Sequence, residues 1–111
     1  METEDIMLIA SELGELIKEN DTVKEFFRLQ GLFENDRKSQ ELLTTLIQVG
    51  AELSEKGARG EEIKLEEKAE YRFLEEEMEK NELVKEFILA QKNYFRLLKD
   101  IQEAMRNQLK Y

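Results

Sequence analysis

"NELVKEFILAQKNYFRLLKDIQEAM" (Asn81–Met105) is the stretch that decides the fold. Within it Val84, Phe87, Gln91, Tyr94, Leu98, Ile101 and Met105 recur in alternating steps of three and four, the spacing of a helix packed along its length against another helix. Ile88, Phe95 and Leu97 widen that stripe beyond what a two-stranded seam needs, so more than one neighbouring helix is implied. The expectation is an all-α bundle with a long, coiled-coil-like C-terminal helix over residues 82–109.

The opening phrase of this stretch has a near copy upstream, "NDTVKEFFRLQ" (Asn20–Gln30) beside "NELVKEFILAQ" (Asn81–Gln91). In both, Asn stands where a side-chain oxygen can accept from the orphan N–H groups of a first turn, and Val and Phe three apart begin the apolar face. One offset also aligns Gln30 with Gln91 and Phe33 with Tyr94, so recurrence of a helix-start solution and duplication of a helical unit both remain open. Either way the phrase builds helices and carries no catalytic group.

Working outward, four further apolar blocks at helical spacing are separated by cap signals, giving helices expected at 3–18, 22–34, 38–56 and 61–80 within one domain over residues 1–111. The first carries Ile6, Ile9, Leu13, Leu16 and Ile17 on one face with Thr3 as cap, and the second opens with Thr22 and Glu25 at capping-box spacing. The third is Leu-rich and is expected to stop at Gly57 in a left-handed position, so that it forms an αα-hairpin with the acidic fourth, which starts at Gly60, Glu61 and Glu62. Gly14, Gly31 and Gly50 fall inside helical patterns, where either a close helix crossing or simple tolerance accounts for them.

Composition agrees and excludes a good deal. A 39% charged fraction, five Gly and no Pro favour long helices with solvated outer faces. The absence of Cys removes thiol chemistry, disulfides and thiolate-held clusters, and the absence of His removes the usual general base and imidazole ligand. A net charge of −9 argues against direct grip on a nucleic-acid backbone. No stretch approaches the roughly 18 apolar residues of a membrane span, and the acids ahead of the first apolar run are unlike a basic leader, so a cytoplasmic location is expected.

Clustered carboxylates at Glu66, Glu67 and Glu70, or Glu75, Glu76 and Glu79, would supply oxygens to a metal, but they are interspersed with Lys64, Lys68, Arg72 and Lys80 as on a solvated helix face. No catalytic, cofactor-binding or metal residue is therefore expected. The aromatic residues Phe26, Phe27, Phe33, Tyr94 and Phe95 are expected in the core. The charge is uneven: Glu61–Glu82 is strongly acidic, whereas Lys85, Lys92, Arg96, Lys99, Arg106 and Lys110 outnumber the acids of the last helix.

From Asn81 to Ile101 the chain resembles the signature of the YlbF/YmcA family of small helical bacterial regulators: Asn, a short gap, Val, an aromatic residue, then Gln and a Leu-Leu-x-acid-aliphatic ending. The order of elements fits from Ile6 almost to the C-terminus. The resemblance implies an all-helical, oligomeric, non-enzymatic adaptor, acting in a complex that modulates ribonuclease Y-dependent RNA maturation. Two positions depart from the pattern. Glu82 stands where many relatives have Pro, and no Cys matches those through which the named pair is thought to ligate iron–sulfur clusters, so a cluster-based role has no ligands here.

Two other classes compete with the adaptor. A prefoldin-like helical holdase would need β-forming segments for assembly, and the chain has no useful period-2 run. A small helical enzyme of the chorismate mutase type would need inward Arg and Lys, which the apolar stripes lack. Five wide stripes leave more apolar surface than a short monomer covers easily, so a homo-oligomer is expected, with Val84, Phe87, Tyr94 and Leu98 in its interface and protein partners besides.

Overall fold

A computed structural model describes residues 1–110. It contains five helices, α1 (Thr3–Glu19), α2 (Asp21–Glu34), α3 (Arg37–Ala58), α4 (Leu65–Lys80) and α5 (Glu82–Gln108), and no strand among the described residues. The all-α bundle with an αα-hairpin and a long last helix is therefore the architecture of the chain.

The Asn phrase begins a helix in both of its copies. Asn20 Oδ1 accepts from Thr22 N at 2.8 Å, and Asn81 Oδ1 accepts from Val84 N at 3.0 Å. Two expected caps move, the first by one position and the second by two. Thr3 and Thr22 lie inside the first turn, with Glu2 and Asn20 as the N-caps, and the Asp5 carboxylate accepts from Glu2 N at 3.1 Å.

The expected end of α3 at Gly57 also shifts. The helix runs through Gly57 to Ala58 with Arg59 as C-cap, and Gly60 takes the left-handed conformation at φ +74°. Glu61 N donates to Lys56 O at 3.0 Å and Gly60 N to Gly57 O at 3.1 Å, the two bonds of a Schellman ending. That exit consumes the residues after Gly60, and Lys64 is extended, so α4 starts at Leu65 and not at 61.

Helices α2 and α5 form the body. Phe33 stacks on Phe87 with ring centroids 4.5 Å apart, and Phe26 stacks on Tyr94 at 4.5 Å, so the two helices run antiparallel. Val23, Phe26, Leu29, Val84, Phe87 and Ala90 are buried, and Ala90 joins Phe26, Leu29 and Phe87 in one cluster. Each large side chain buried in this way contributes about 1.5–3 kcal/mol by leaving water.

The α3–α4 hairpin is held by two contacts in antiparallel register. A methyl group at Gly50 would sit 3.2 Å from the Tyr71 ring, which makes Gly50 a close crossing, while Gly14 and Gly31 face open space. Lys56 Nζ donates to both carboxylate oxygens of Glu67 at 2.8 and 2.9 Å.

Hairpin and body meet at a small polar knot. Ser39 is completely buried; its hydroxyl donates to Asp36 Oδ2 at 2.9 Å and accepts from Asn81 Nδ2 at 3.0 Å. The start of α3 and the break between α4 and α5 are thereby tied together, and no buried polar side-chain atom is left without a partner among the described residues.

The resulting molecule is long and open. It measures 62 × 35 × 18 Å with a radius of gyration of 19.8 Å, against about 13 Å for a compact chain of this length. Its accessible surface is 9006 Å², where a folded monomer of 13.2 kDa exposes about 6,400 Å².

Candidate protein-interaction surface

The excess surface has an address. Every residue from 1 to 12 is exposed, and α1 makes a close backbone approach to α2 alone. Its apolar face is consequently uncovered: Ile6, Ile9 and Leu16 are half or more exposed, and only Leu13 and Ile17, near the turn at Asn20, are partly covered. At the other end of the chain, α5 runs past the start of α2, and residues 102–110 are all exposed. Phe95, Met105 and Leu109 stand out from it.

Between these arms lies the edge of the aromatic core. Phe27 packs edge-on against Tyr94 at 5.7 Å yet is 53% exposed, and Phe95 lies 5.8 Å from Tyr94 at 56% exposure. Phe27 also lines a groove at the α1–α2 turn together with Lys18, Glu19, Lys24 and Arg28. A third apolar strip, Leu65, Ala69 and Phe73, lies on α4 beside Lys68 and Arg72.

The four residues expected to face a second copy divide in two. Val84 and Phe87 lie inside the chain's own core, at 0% and 7% exposure, and Phe26 and Phe33 of α2 stack against Phe87. Tyr94 and Leu98 are half-buried, and of the four only these two keep appreciable surface open to solvent. Of the aromatic residues expected in the core, Phe26 is buried, Phe33 and Tyr94 are half-buried, and Phe27 and Phe95 are at its rim. Met7 and Leu8, which fall outside the first helical stripe, are also exposed.

The carboxylates raised as metal ligands do not converge, and no cluster of three or more Asp or Glu side chains is placed to hold an ion among the described residues. Glu67 leaves its neighbours for the cross-hairpin pair with Lys56, whose hydrogen bond holds its carboxyl below the usual carboxylate range. The hydrogen bond from Arg28, reinforced by its charge, lowers Glu25 in the same way, and Arg28 is raised in return. Both pairs hold opposite charges together through short hydrogen bonds. No helix is long and apolar enough to cross a membrane among the described residues. What the arrangement offers chemically is apolar surface bordered by charge, the make-up of a surface that docks other proteins.

The apolar positions are legible in the sequence, but the contacts among distant ones are not. Tyr71 carried no signal of its packing on Gly50, nor Ser39 of its bond to Asn81, because both partners lie on other helices.

The family model described as control of competence regulator ComK, YlbF/YmcA, matches residues 6–110. Among solved structures, the chain is similar to RicA of Bacillus subtilis, in the X-ray crystal structure of RicA in complex with RicF. The identity is 18% and the TM-score 0.70, with 98% of this chain and 100% of that chain covered. A likeness at that identity is one of fold. No curated protein matches the sequence.

Proposed function

Because the chain belongs to the YlbF/YmcA family, described as controlling the competence regulator ComK, we propose that it is a non-enzymatic adaptor that works by docking other proteins. The observation that carries this reading is the surplus of roughly 2,600 Å² of accessible surface over a compact monomer, part of it the uncovered apolar faces of α1, α4 and α5. That RicA is found in complex with RicF supports the same kind of work. In the finer form implied by the family resemblance, the chain acts in a complex that modulates ribonuclease Y-dependent RNA processing. With a net charge of −9, its contribution there is contact with proteins and not with the RNA backbone.

Affinity purification of the endogenous chain followed by mass spectrometry tests the reading directly. The expected result is recovery of other helical regulators together with ribonuclease Y. Recovery of the chain without other proteins, in cells whose RNA maturation is indifferent to its deletion, would refute it.

A further inference from the structure

The two uncovered arms carry opposite charge on matching repeats. On α1, Asp5 and Glu12 stand seven residues apart along one edge of the apolar face that contains Ile9 and Leu16. On α5, Lys99 and Arg106 stand seven residues apart along the edge of the strip formed by Phe95, Met105 and Leu109. Seven residues rise by about 10.5 Å on either helix, so the two charge pairs have the same spacing. None of the four side chains forms an ion pair among the described residues, although nine pairs occur elsewhere.

Within one chain these arms do not meet, since α1 approaches α2 and no other helix. Each has what the other lacks: an acidic edge beside bare aliphatic side chains, and a basic edge beside bare aromatic and aliphatic ones. A stable protein interface removes about 800 Å² from each partner. The surplus of roughly 2,600 Å² accommodates two such contacts per chain, one through each arm.

We propose that the partner covering α1 is the C-terminal half of α5 in a second copy of this chain, with Asp5 and Glu12 of one copy paired with Lys99 and Arg106 of the other. The exchange is reciprocal in a two-fold dimer, so both arms of both copies are covered at once. It deepens the protein-docking reading above by naming one partner, and it leaves the aromatic rim at Phe27 and the outer strip of α4 free for a different protein.

The pairing is tested with two charge-reversed chains studied by sedimentation velocity at micromolar concentration. The chain as it exists is expected to be dimeric. Lys99→Glu with Arg106→Glu sets acid against acid, and Asp5→Lys with Glu12→Lys sets base against base. Each is expected to weaken self-association by roughly tenfold or more with helicity by circular dichroism unchanged. Mixing the two restores opposite charges at both contacts and is expected to bring back the dimer, as is a single chain carrying all four changes. That four-change chain also reads the pairing if either charge-reversed chain fails to fold. A monomeric parent chain overturns the proposal, as do charge-reversed chains that stay dimeric, or a mixture and four-change chain that stay monomeric. None of these results touches the capture of other proteins, which is the separate test of the adaptor reading.

Discussion

The aromatic body of the molecule makes the sharpest prediction about stability. Phe26 and Phe87 are 6% and 7% exposed, one from each copy of the Asn phrase, with nearly parallel rings 6.0 Å apart. Truncating either to Ala removes a buried ring and leaves a cavity that the neighbouring stacked rings hold open, so each is expected to cost about 3–5 kcal/mol. The direct pair is at the longer end of aromatic contact distances, so its coupling in a double-mutant cycle should be about 0.5–1 kcal/mol. The closer pairs at 4.5 Å, Phe33 with Phe87 and Phe26 with Tyr94, should couple more strongly, at about 1–1.5 kcal/mol. A domain of this size has on the order of 5–15 kcal/mol of stability in all, so the double truncation risks global unfolding, and Phe→Leu changes supply a milder cycle. Urea unfolding followed by circular dichroism, on the Lys99→Glu/Arg106→Glu background so that association does not contribute, measures the couplings. Additive losses for Phe33 and Phe87 would refute the antiparallel α2–α5 core. A stronger coupling for the 6.0 Å pair than for both 4.5 Å pairs would refute the register.

Three further outcomes follow from single contacts. Asn81→Ala removes both the cap of α5 and the bond to the buried Ser39 hydroxyl, so its cost should be about 2 kcal/mol, against about 1 kcal/mol for Asn20→Ala, which loses an exposed cap only; urea midpoints decide. Gly14→Ala should raise stability by about 0.5–1 kcal/mol because its added methyl meets nothing, whereas Gly50→Ala should gain less, since its methyl presses on Tyr71 at 3.2 Å; thermal melts compare the two. Glu67 has a folded-state pKa below its unfolded one, so the stability it contributes is present above the unfolded value and is lost as pH falls through the folded value. An NMR titration should find its carboxyl protonating at lower pH than in a Lys56→Met chain, where the donor is gone.

How much of this was legible in the residues differs from element to element. The seam of α5 and the Asn caps at 20 and 81 were readable because each depends on residues within one or two turns, where spacing alone fixes which side chains share a face. The absence of Cys and His bears on chemistry without any structure at all. The left-handed position that closes α3 was misplaced by three residues because two glycines compete there, and local pattern does not say which takes the positive φ; Arg59 continues the turn and Gly60 closes it.

The candidate surface was the least legible part. Periodicity marks Val84 and Phe87 as apolar, but the hydrophobic effect has no direction and does not say whether another helix of the same chain or a second copy covers them. Only the antiparallel docking of α2 on α5 assigns those two to the core and leaves Phe27 and Phe95 at the rim. The same holds for Lys56 and Glu67, whose pairing across the hairpin is set by the length of the turn between α3 and α4, and for Ser39 and Asn81, which meet across 42 positions of chain. The sequence by itself determined five amphipathic helices, where most of them begin, and a chemistry without thiol or imidazole. The tertiary structure decided which stripes cover one another and which remain bare, because that depends on distances between helices that no local pattern encodes.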